Sequence, residues 1–507
     1  MKKNSNLLIL ALLAIGMGLT SCEGALDDIL GEWSRPTKNP SENPESPAVS
    51  PDTPLTLEAI TAGTISVTSP KSGMQYSLNG GAKTAVTTTA IDVAVGDKVA
   101  FYGDGTSITK YYGTQIAGGT AEVKVYSNIM SLLDETGFAT ATTLPATDYT
   151  FYELFSGNDK LKDANGLLLP AETLVAYCYS RMFSGCTALT AAPALPAETL
   201  TANCYSLMFK DCKSLTAAPA LPAKTLEAYS YSNMFEGCTS LTTAPELPAT
   251  TVPASCYQTM FKGCTSLTTA PKLSATAVGF SSCWSMFEGC TSLTTAPELK
   301  ATTLAMSCYR SMFYGCTSLT TAPELPATTL AEECYQSMFY GCNKLTTAPA
   351  LPATTLADAC YSLMFFGCNK LTTAPALPAT TLAKACYQNM FQGCASLTTA
   401  PALPATTLAD FCYSYMFYGC EKLEQTPHLA AETSALKKEC YYYMFAECKG
   451  LTKAYVKANY TDETDVDQCE GMFSNCKDAA ASKFYSADAE NYKSKFGLNS
   501  WQTAAYE

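Results

Sequence analysis

From about residue 151 the chain repeats itself, and this limits its fold more than any other feature. A Met-Phe pair recurs with its Phe at 183, 209, 235, 261, 287, 313, 339, 365, 391 and 417, always 26 residues apart. Degenerate copies stand at Leu154-Phe155, Met444-Phe445 and Met472-Phe473, each 28 residues from its neighbour. A unit this short buries too little to fold alone. Stacked units share one continuous core, and the end units depart from the pattern because they face water. At 507 residues the chain is too long for one ordinary core, so a repeat array with flanking domains is expected.

One unit, Leu319 to Cys342, shows the local logic. Leu330, Cys334 and Met338 are four residues apart, as are Ala331, Tyr335 and Phe339. The two apolar rows predict a short helix. Thr329 would cap its start, with Glu332 as capping-box partner. A glycine column (Gly185, Gly237, Gly263, Gly289, Gly315, Gly341, Gly367, Gly393, Gly419) would end it. Asp211 and Asn475 replace glycine there, and both residue types tolerate the left-handed conformation. Leu319 to Leu325 is then the strand, kept short by Pro323.

The flanks read differently. Lys2 and Lys3 precede an apolar run, Leu7 to Leu19, too short to cross a bilayer. It ends in Leu19-Thr20-Ser21-Cys22, which resembles the bacterial lipobox; the resemblance implies lipidation of Cys22 after removal of residues 1–21. Residues 22–53 are Pro-rich and read as a tether. Residues 54–126 alternate in a strand period, with Asn79-Gly80 as a hairpin signal, and predict a small β-sandwich-like domain. Residues 127–169 form a cap and degenerate repeat, 170–450 the regular array, and 451–507 a degenerate repeat and C-terminal cap.

The run Phe-x-Gly-Cys-x-x-Leu, as in Phe339-Tyr340-Gly341-Cys342-Asn343-Lys344-Leu345, followed by a short Leu/Pro strand, resembles the BspA-like leucine-rich-repeat surface lipoproteins of anaerobic Gram-negative bacteria. The resemblance covers roughly residues 151–476, with a period of 26 that exceeds the family's commoner unit. The expected fold class is mixed α/β: a leucine-rich-repeat solenoid of ~26-residue strand-plus-short-helix units, preceded by a small all-β domain. The resemblance implies surface display and adhesion to a host or microbial surface protein or glycan.

Of 24 cysteines, 23 remain beside Cys22, in two columns. The column after the glycine is complete from Cys186 to Cys476, whereas Ser230 and Ser282 interrupt the one before the tyrosine. Eight helical residues rise about 12 Å, and a disulfide needs Cα atoms within about 7 Å. Ser230 leaves Cys238 intact, and Asn158 stands in for Cys in the first degenerate unit. These observations favour buried thiol ladders over disulfides, although export would permit the latter. No CxxC pair and a single histidine speak against zinc.

Motifs for catalysis are missing: there is no nucleophile elbow, P-loop or HExxH. His428 occupies a variable strand position and reads as a surface substitution. Asp462, Glu463, Asp465 and Asp467 crowd together, but an EF-hand loop would need glycine where Asp467 stands. No catalytic residue, cofactor or metal site is expected. The net charge of −13, without a basic cluster after the first residues, argues against nucleic acid as a partner.

The tyrosine column (Tyr179, Tyr205, Tyr231, Tyr257, Tyr309, Tyr335, Tyr361, Tyr387, Tyr413) is nearly invariant between copies, as buried packing requires. Variable columns mark exposed positions. The residue after Met-Phe runs Ser184, Lys210, Glu236, Lys262, Glu288, Tyr314, Tyr340, Phe366, Gln392, Tyr418. Tyr314, Tyr340, Phe366 and Tyr418 form a candidate binding stripe for a glycan or a protein, with packing between neighbouring rings as the other reading. Glu246, Lys272, Glu298 and Glu324 form a second variable column. The functional expectation is a lipid-anchored binding or adhesion protein on the outer membrane at the cell surface, touching the membrane only through its lipid and using its solenoid to hold a protein or polysaccharide. Alternatives are a structural spacer that displays another domain, or an extracytoplasmic enzyme.

Overall fold

The computed structural model describes residues 50–104, 113–457, 466–477, 480–486, 496, 498–504 and 506. Residues 1–21, Cys22 and most of the tether lie outside them, as do Asp462, Glu463 and Asp465.

The alternating segments become strands: β1 (Thr56–Ala59), β2 (Gly63–Ile65), β3 (Gln75–Leu78), β4 (Thr84–Ala85), β5 (Ile91–Val93), β6 (Lys98–Tyr102), β7 (Val123–Asn128) and β8 (Leu161–Leu168). One sheet has the order β4-β3-β6-β1-β7-β8, and β2 pairs separately with β5. Inward residues such as Leu57, Val99, Phe101, Val123 and Val125 are fully buried. After β3 the chain turns at Asn79 and Gly80, with φ of 52° and 75°. Two successive positive values are what a type I′ turn needs, and Asn-Gly supplies them at little cost. The sheet runs on past residue 126: β7 pairs in parallel with β8, from Val123↔Leu161 to Asn128↔Leu168. Asp163 in β8 in turn bridges Ala191, so the first rung of the array continues this sheet.

The regular units contain no helix, and the mixed α/β expectation is overturned. Among the described residues, helical structure is confined to α1 (Val466–Cys469) and three short 3-10 turns. From Ala331 to Cys342 the chain is a ribbon of overlapping β-turns. Cys334, Gln336, Met338, Tyr340 and Cys342 donate their N–H groups three residues back, for example Met338 N–H to the Tyr335 carbonyl at 3.2 Å. Glu333, Tyr335, Ser337, Phe339 and Gly341 donate instead to the next unit, as Phe339 does to the Met364 carbonyl at 2.9 Å. Every fourth residue is left-handed: Glu333 at φ 53°, Ser337 at 55° and Gly341 at 69°. Those residues are the third of alternate turns, the place where a type II turn requires positive φ. An L-residue there costs about 1–2 kcal/mol, which the bonds to the neighbouring unit must offset.

The sequence pattern misleads because this ribbon has a period of four residues and a helix 3.6. Over three turns, buried pairs such as Cys334-Tyr335 and Met338-Phe339 fall where a helix would also put them. The glycine column is left-handed as expected, and so are its substitutes Asp211 (φ 59°) and Asn475 (φ 57°), but it ends a turn ribbon. Thr329 caps nothing; it bridges Thr355, and Leu330 N–H bonds the Thr355 carbonyl at 3.0 Å.

The expected strand Leu319–Leu325 shrinks to a bridge at Thr321, which pairs with Thr295. Pro323 and Pro326 have no N–H to contribute to a longer ladder. Bridges between threonines 26 residues apart recur at this corner (Thr347↔Thr373, Thr373↔Thr399) and at a second one (Thr329↔Thr355, Thr381↔Thr407). Two-residue strands β9 (Thr251–Val252) and β10 (Ala277–Val278) pair in parallel at the second corner. Beyond the array β11 (Lys453–Tyr455), β12 (Lys483–Tyr485) and β13 (Gln502–Ala504) form a parallel sheet, and Gln425 bridges Lys453 into it.

The core is a set of ladders. Phe339 and Phe365 stack at 5.5 Å, and Tyr335 and Tyr361 at 5.9 Å. The tyrosine column is buried throughout, as its near-invariance implies.

Candidate functional site

The turn ribbon presents its unburied positions outward as a lattice. Rows run along the chain every four residues, and columns run along the stack every 26. Side chains in one column are therefore neighbours, and the column after Met-Phe shows what that spacing does. Lys210 pairs with Glu236 at 3.2 Å and Lys262 with Glu288 at 3.0 Å. Such exposed pairs contribute only about 0–1 kcal/mol each.

Further along this column Tyr314 stacks on Tyr340 with ring centroids 4.5 Å apart, and Tyr340 on Phe366 at 4.4 Å. The structure thus brings three of the four stripe residues into one continuous stack. Tyr418 stands apart, beyond Gln392, tilted against Tyr415 at 5.8 Å. At 4.4–4.5 Å the rings cover each other's facing sides, so Tyr340 presents only its edge while Tyr314 and Phe366 each keep one face that no ring covers. Burial between its neighbours raises the Tyr340 phenol above its ordinary value, with Tyr314 adding to the effect.

Sequence reasoning missed three residues beside this stack. Phe280, Trp284 and Met306 are exposed by 50%, 36% and 40%. Their signal was present in the unit spanning 276–301. There Ser282-Cys283 replaces the Cys-Tyr pair of most regular units, and Trp284 falls in a column held elsewhere by Ser232, Gln258, Gln336 and Ser362. The Arg310 guanidinium lies over the Trp284 ring at 5.7 Å and is held by the Glu333 carboxylate, which also accepts from the Ser307 hydroxyl at 2.9 Å.

The proline face differs. Glu246, Lys272, Glu298 and Glu324 are exposed along it. Where alanines replace them, a shallow groove of about 460 Å³ opens between Pro349, Ala350, Pro352, Pro375 and Pro378. His428 is stacked on Tyr455 at 4.1 Å, and Tyr455 on Tyr485 at 4.4 Å. That placement makes it part of an aromatic run at the end of the array.

The cysteine columns are internal. Cys342 Sγ donates to the Phe313 carbonyl at 3.2 Å and Cys368 Sγ to Phe339 at 3.1 Å, and this bond recurs along the column. Each such thiol ties the end of a turn ribbon to the preceding unit. In the other column Ser230 Oγ lies 3.2 Å from Cys256 Sγ. Burial pushes these thiols up, Cys256 to about 11 and Cys368 to about 12. Among the described residues, no helix is long and apolar enough to cross a membrane.

Stacked short units with leucine, phenylalanine and cysteine ladders define a leucine-rich-repeat solenoid. Residues 256–398 and 361–480 match the BspA type leucine rich repeat region, in six copies, so this part of the chain carries BspA-type leucine-rich repeats. No curated protein matches the chain. Two solved structures are similar at low identity. A TLR13–ssRNA13 complex is 13% identical over 64% of this chain, with a TM-score of 0.24. A functional domain of InlJ from Listeria monocytogenes, described as including a cysteine ladder, is 15% identical over 60%, with a TM-score of 0.18. The chain spans 48% and 64% of the lengths of those two.

Proposed function

We propose that this protein is a binding or adhesion protein, anchored through a lipid on Cys22 to the outer membrane and displayed at the cell surface, and that its solenoid engages a protein or glycan partner. The observation that carries the reading is the contrast between two sets of columns. The Tyr, Phe and Cys columns hardly vary because packing fixes them, while the outward columns of the turn face vary freely and collect aromatic side chains. Tyr314 is exposed and Tyr340, Phe366 and Tyr418 are half-buried, outside the core ladders, and contiguous apolar surface marks interaction sites. Tyr314, Tyr340, Phe366 and Tyr418 are the stripe residues in this reading. Its chemistry is recognition, with no catalytic group, metal or cofactor assigned.

The test uses the full chain carrying Cys22→Ala, so that it is free of lipid, on arrays of host and microbial proteins and of glycans. Saturable binding to at least one ligand is expected. Replacing all four stripe residues by Ser, which Ser184 already supplies in that column, should weaken it more than tenfold, about 1.4 kcal/mol. A chain that binds nothing on either array is a spacer. Binding undiminished in a folded quadruple variant moves the site off the stripe.

A further inference from the structure

Seven large apolar side chains are exposed among the described residues, and four of them, Phe280, Trp284, Met306 and Tyr314, lie in two consecutive units. Their columns show that the fold does not require them. Ala202, Ala228 and Ala254 occupy the column of Phe280 and Met306, and Ser206, Ser232 and Ser362 that of Trp284. The unit that carries Phe280 and Trp284 also gives up its core tyrosine, because Cys283 stands between Tyr257 and Tyr309 in that column. Exposed apolar surface is thus gathered where the regular array loses its core tyrosine.

Part of the patch is held in place before any partner arrives. Arg310 rests on Trp284, and its other side is held by Glu333, itself bonded to Ser307. Groups fixed in this way lose less freedom on binding. The geometry also selects the kind of partner. A sugar ring packs on an open aromatic face, but Arg310 lies over one face of the Trp284 ring, and in the stack of Tyr314, Tyr340 and Phe366 only the two end rings keep a face that no ring covers. What remains is a broken set of ring edges and single faces around the exposed Met306 and Phe280 side chains, a surface suited to interdigitating with protein side chains. Trp, Tyr, Phe, Met and Arg are also the residues enriched at the centres of protein interfaces.

Charge narrows the partner further. Lys262 neutralises Glu288 beside the patch. The column of Met306 continues with exposed Glu332, Asp358, Lys384 and Asp410, negative in net, and the chain carries −13 overall. A second copy of this chain would bring the same negative charge, whereas a basic partner would be attracted at long range. We propose that Phe280, Trp284, Met306 and Arg310, with the edge of Tyr314, form a docking surface for a basic protein that inserts an apolar side chain between cationic ones. The proposal rests on the binding function above and adds to it a location and a partner chemistry.

Trp284 makes the site readable. The chain has three tryptophans, of which Trp501 is buried at 1% exposure and Trp33 can be replaced by Phe. The probe is a fluorescein-labelled peptide alternating leucine and lysine, added to the full chain carrying Cys22→Ala and Trp33→Phe. Saturable binding is expected, with a blue shift of Trp284 emission. The double variant Trp284→Ser, Met306→Ala should lower affinity, read by peptide anisotropy, more than tenfold with an unchanged melting temperature. If that variant melts early, Phe280→Ala alone should still weaken binding severalfold. The proposal is overturned by equal binding of an all-lysine peptide, by affinity that survives these substitutions, by a linear glucan oligosaccharide shifting Trp284 where the peptide does not, or by self-association of the free chain through this face. An array ligand indifferent to Trp284→Ser removes this site and leaves the binding function standing, while silence of both arrays removes the function itself.

Discussion

Ala359 and Ala385 offer a decisive perturbation, because a turn ribbon and a helix answer it with opposite signs. Both are left-handed, at φ 51° and 53°, and each donates its N–H to the following unit, to the Lys384 and Asp410 carbonyls at 2.9 Å. An alanine held there costs about 1–2 kcal/mol. Glycine removes that cost but returns about 0.4–1 kcal/mol of freedom to the unfolded chain. The net expectation for Ala→Gly is a gain of about 0.5 kcal/mol per site, hence about 1 kcal/mol for the pair. In a helix the same change would lose about 1 kcal/mol per site. Hydrogen exchange over residues 357–390 reads the local opening free energy directly. The double variant should exchange about fivefold more slowly there, whereas a helical segment would exchange about thirtyfold faster. The sites are adjacent in the stack, so their effects can couple by a few tenths of a kcal/mol, too little to reverse the sign. Faster exchange in the double variant refutes the turn ribbon.

Three further expectations follow from the thiols and the anchor. Mass spectrometry of denatured, unreduced protein should find most of the 23 cysteines other than Cys22 alkylatable, and bridged cysteines would refute the thiol ladders. The same thiols should make the fold alkali-sensitive. Burial keeps Cys256 protonated to about pH 11 and Cys368 to about 12, while an unfolded thiol ionises near 9, so stability is complete below pH 9 and falls as pH rises above it. Circular dichroism should show cooperative unfolding between about pH 9 and 11; a fold that persists at pH 12 would refute the account. For the anchor, Cys22→Ala should abolish fatty-acid labelling and release the protein from the membrane fraction, and unchanged labelling would refute lipidation.

Much of the candidate surface was legible because repeats comment on one another. The column after Met-Phe varies in charge, which by itself marks it as exposed, and the stack of Tyr314, Tyr340 and Phe366 lies there. Phe280, Trp284 and Met306 were not legible from any single column, because a patch on a lattice crosses several. Which face of a ring is free was not legible at all. That Arg310 lies over Trp284 depends on the distance between units, which no residue encodes by itself.

The sequence alone determined the period of 26, the Tyr, Phe and Cys columns of the core, the Asn79-Gly80 turn and the left-handed glycine column, because each depends on local geometry or on exact repetition. It could not determine what lies between Ala331 and Cys342. Apolar pairs every four residues fit a helix and a turn ribbon alike over so short a span. The choice rests on where the alternate N–H groups of Glu333, Tyr335, Ser337, Phe339 and Gly341 go. In a helix they would bond within the unit; here they bond carbonyls 25 residues on, and those acceptors come within reach only once the next unit has stacked. That is why tertiary structure, and not local sequence, made the decision.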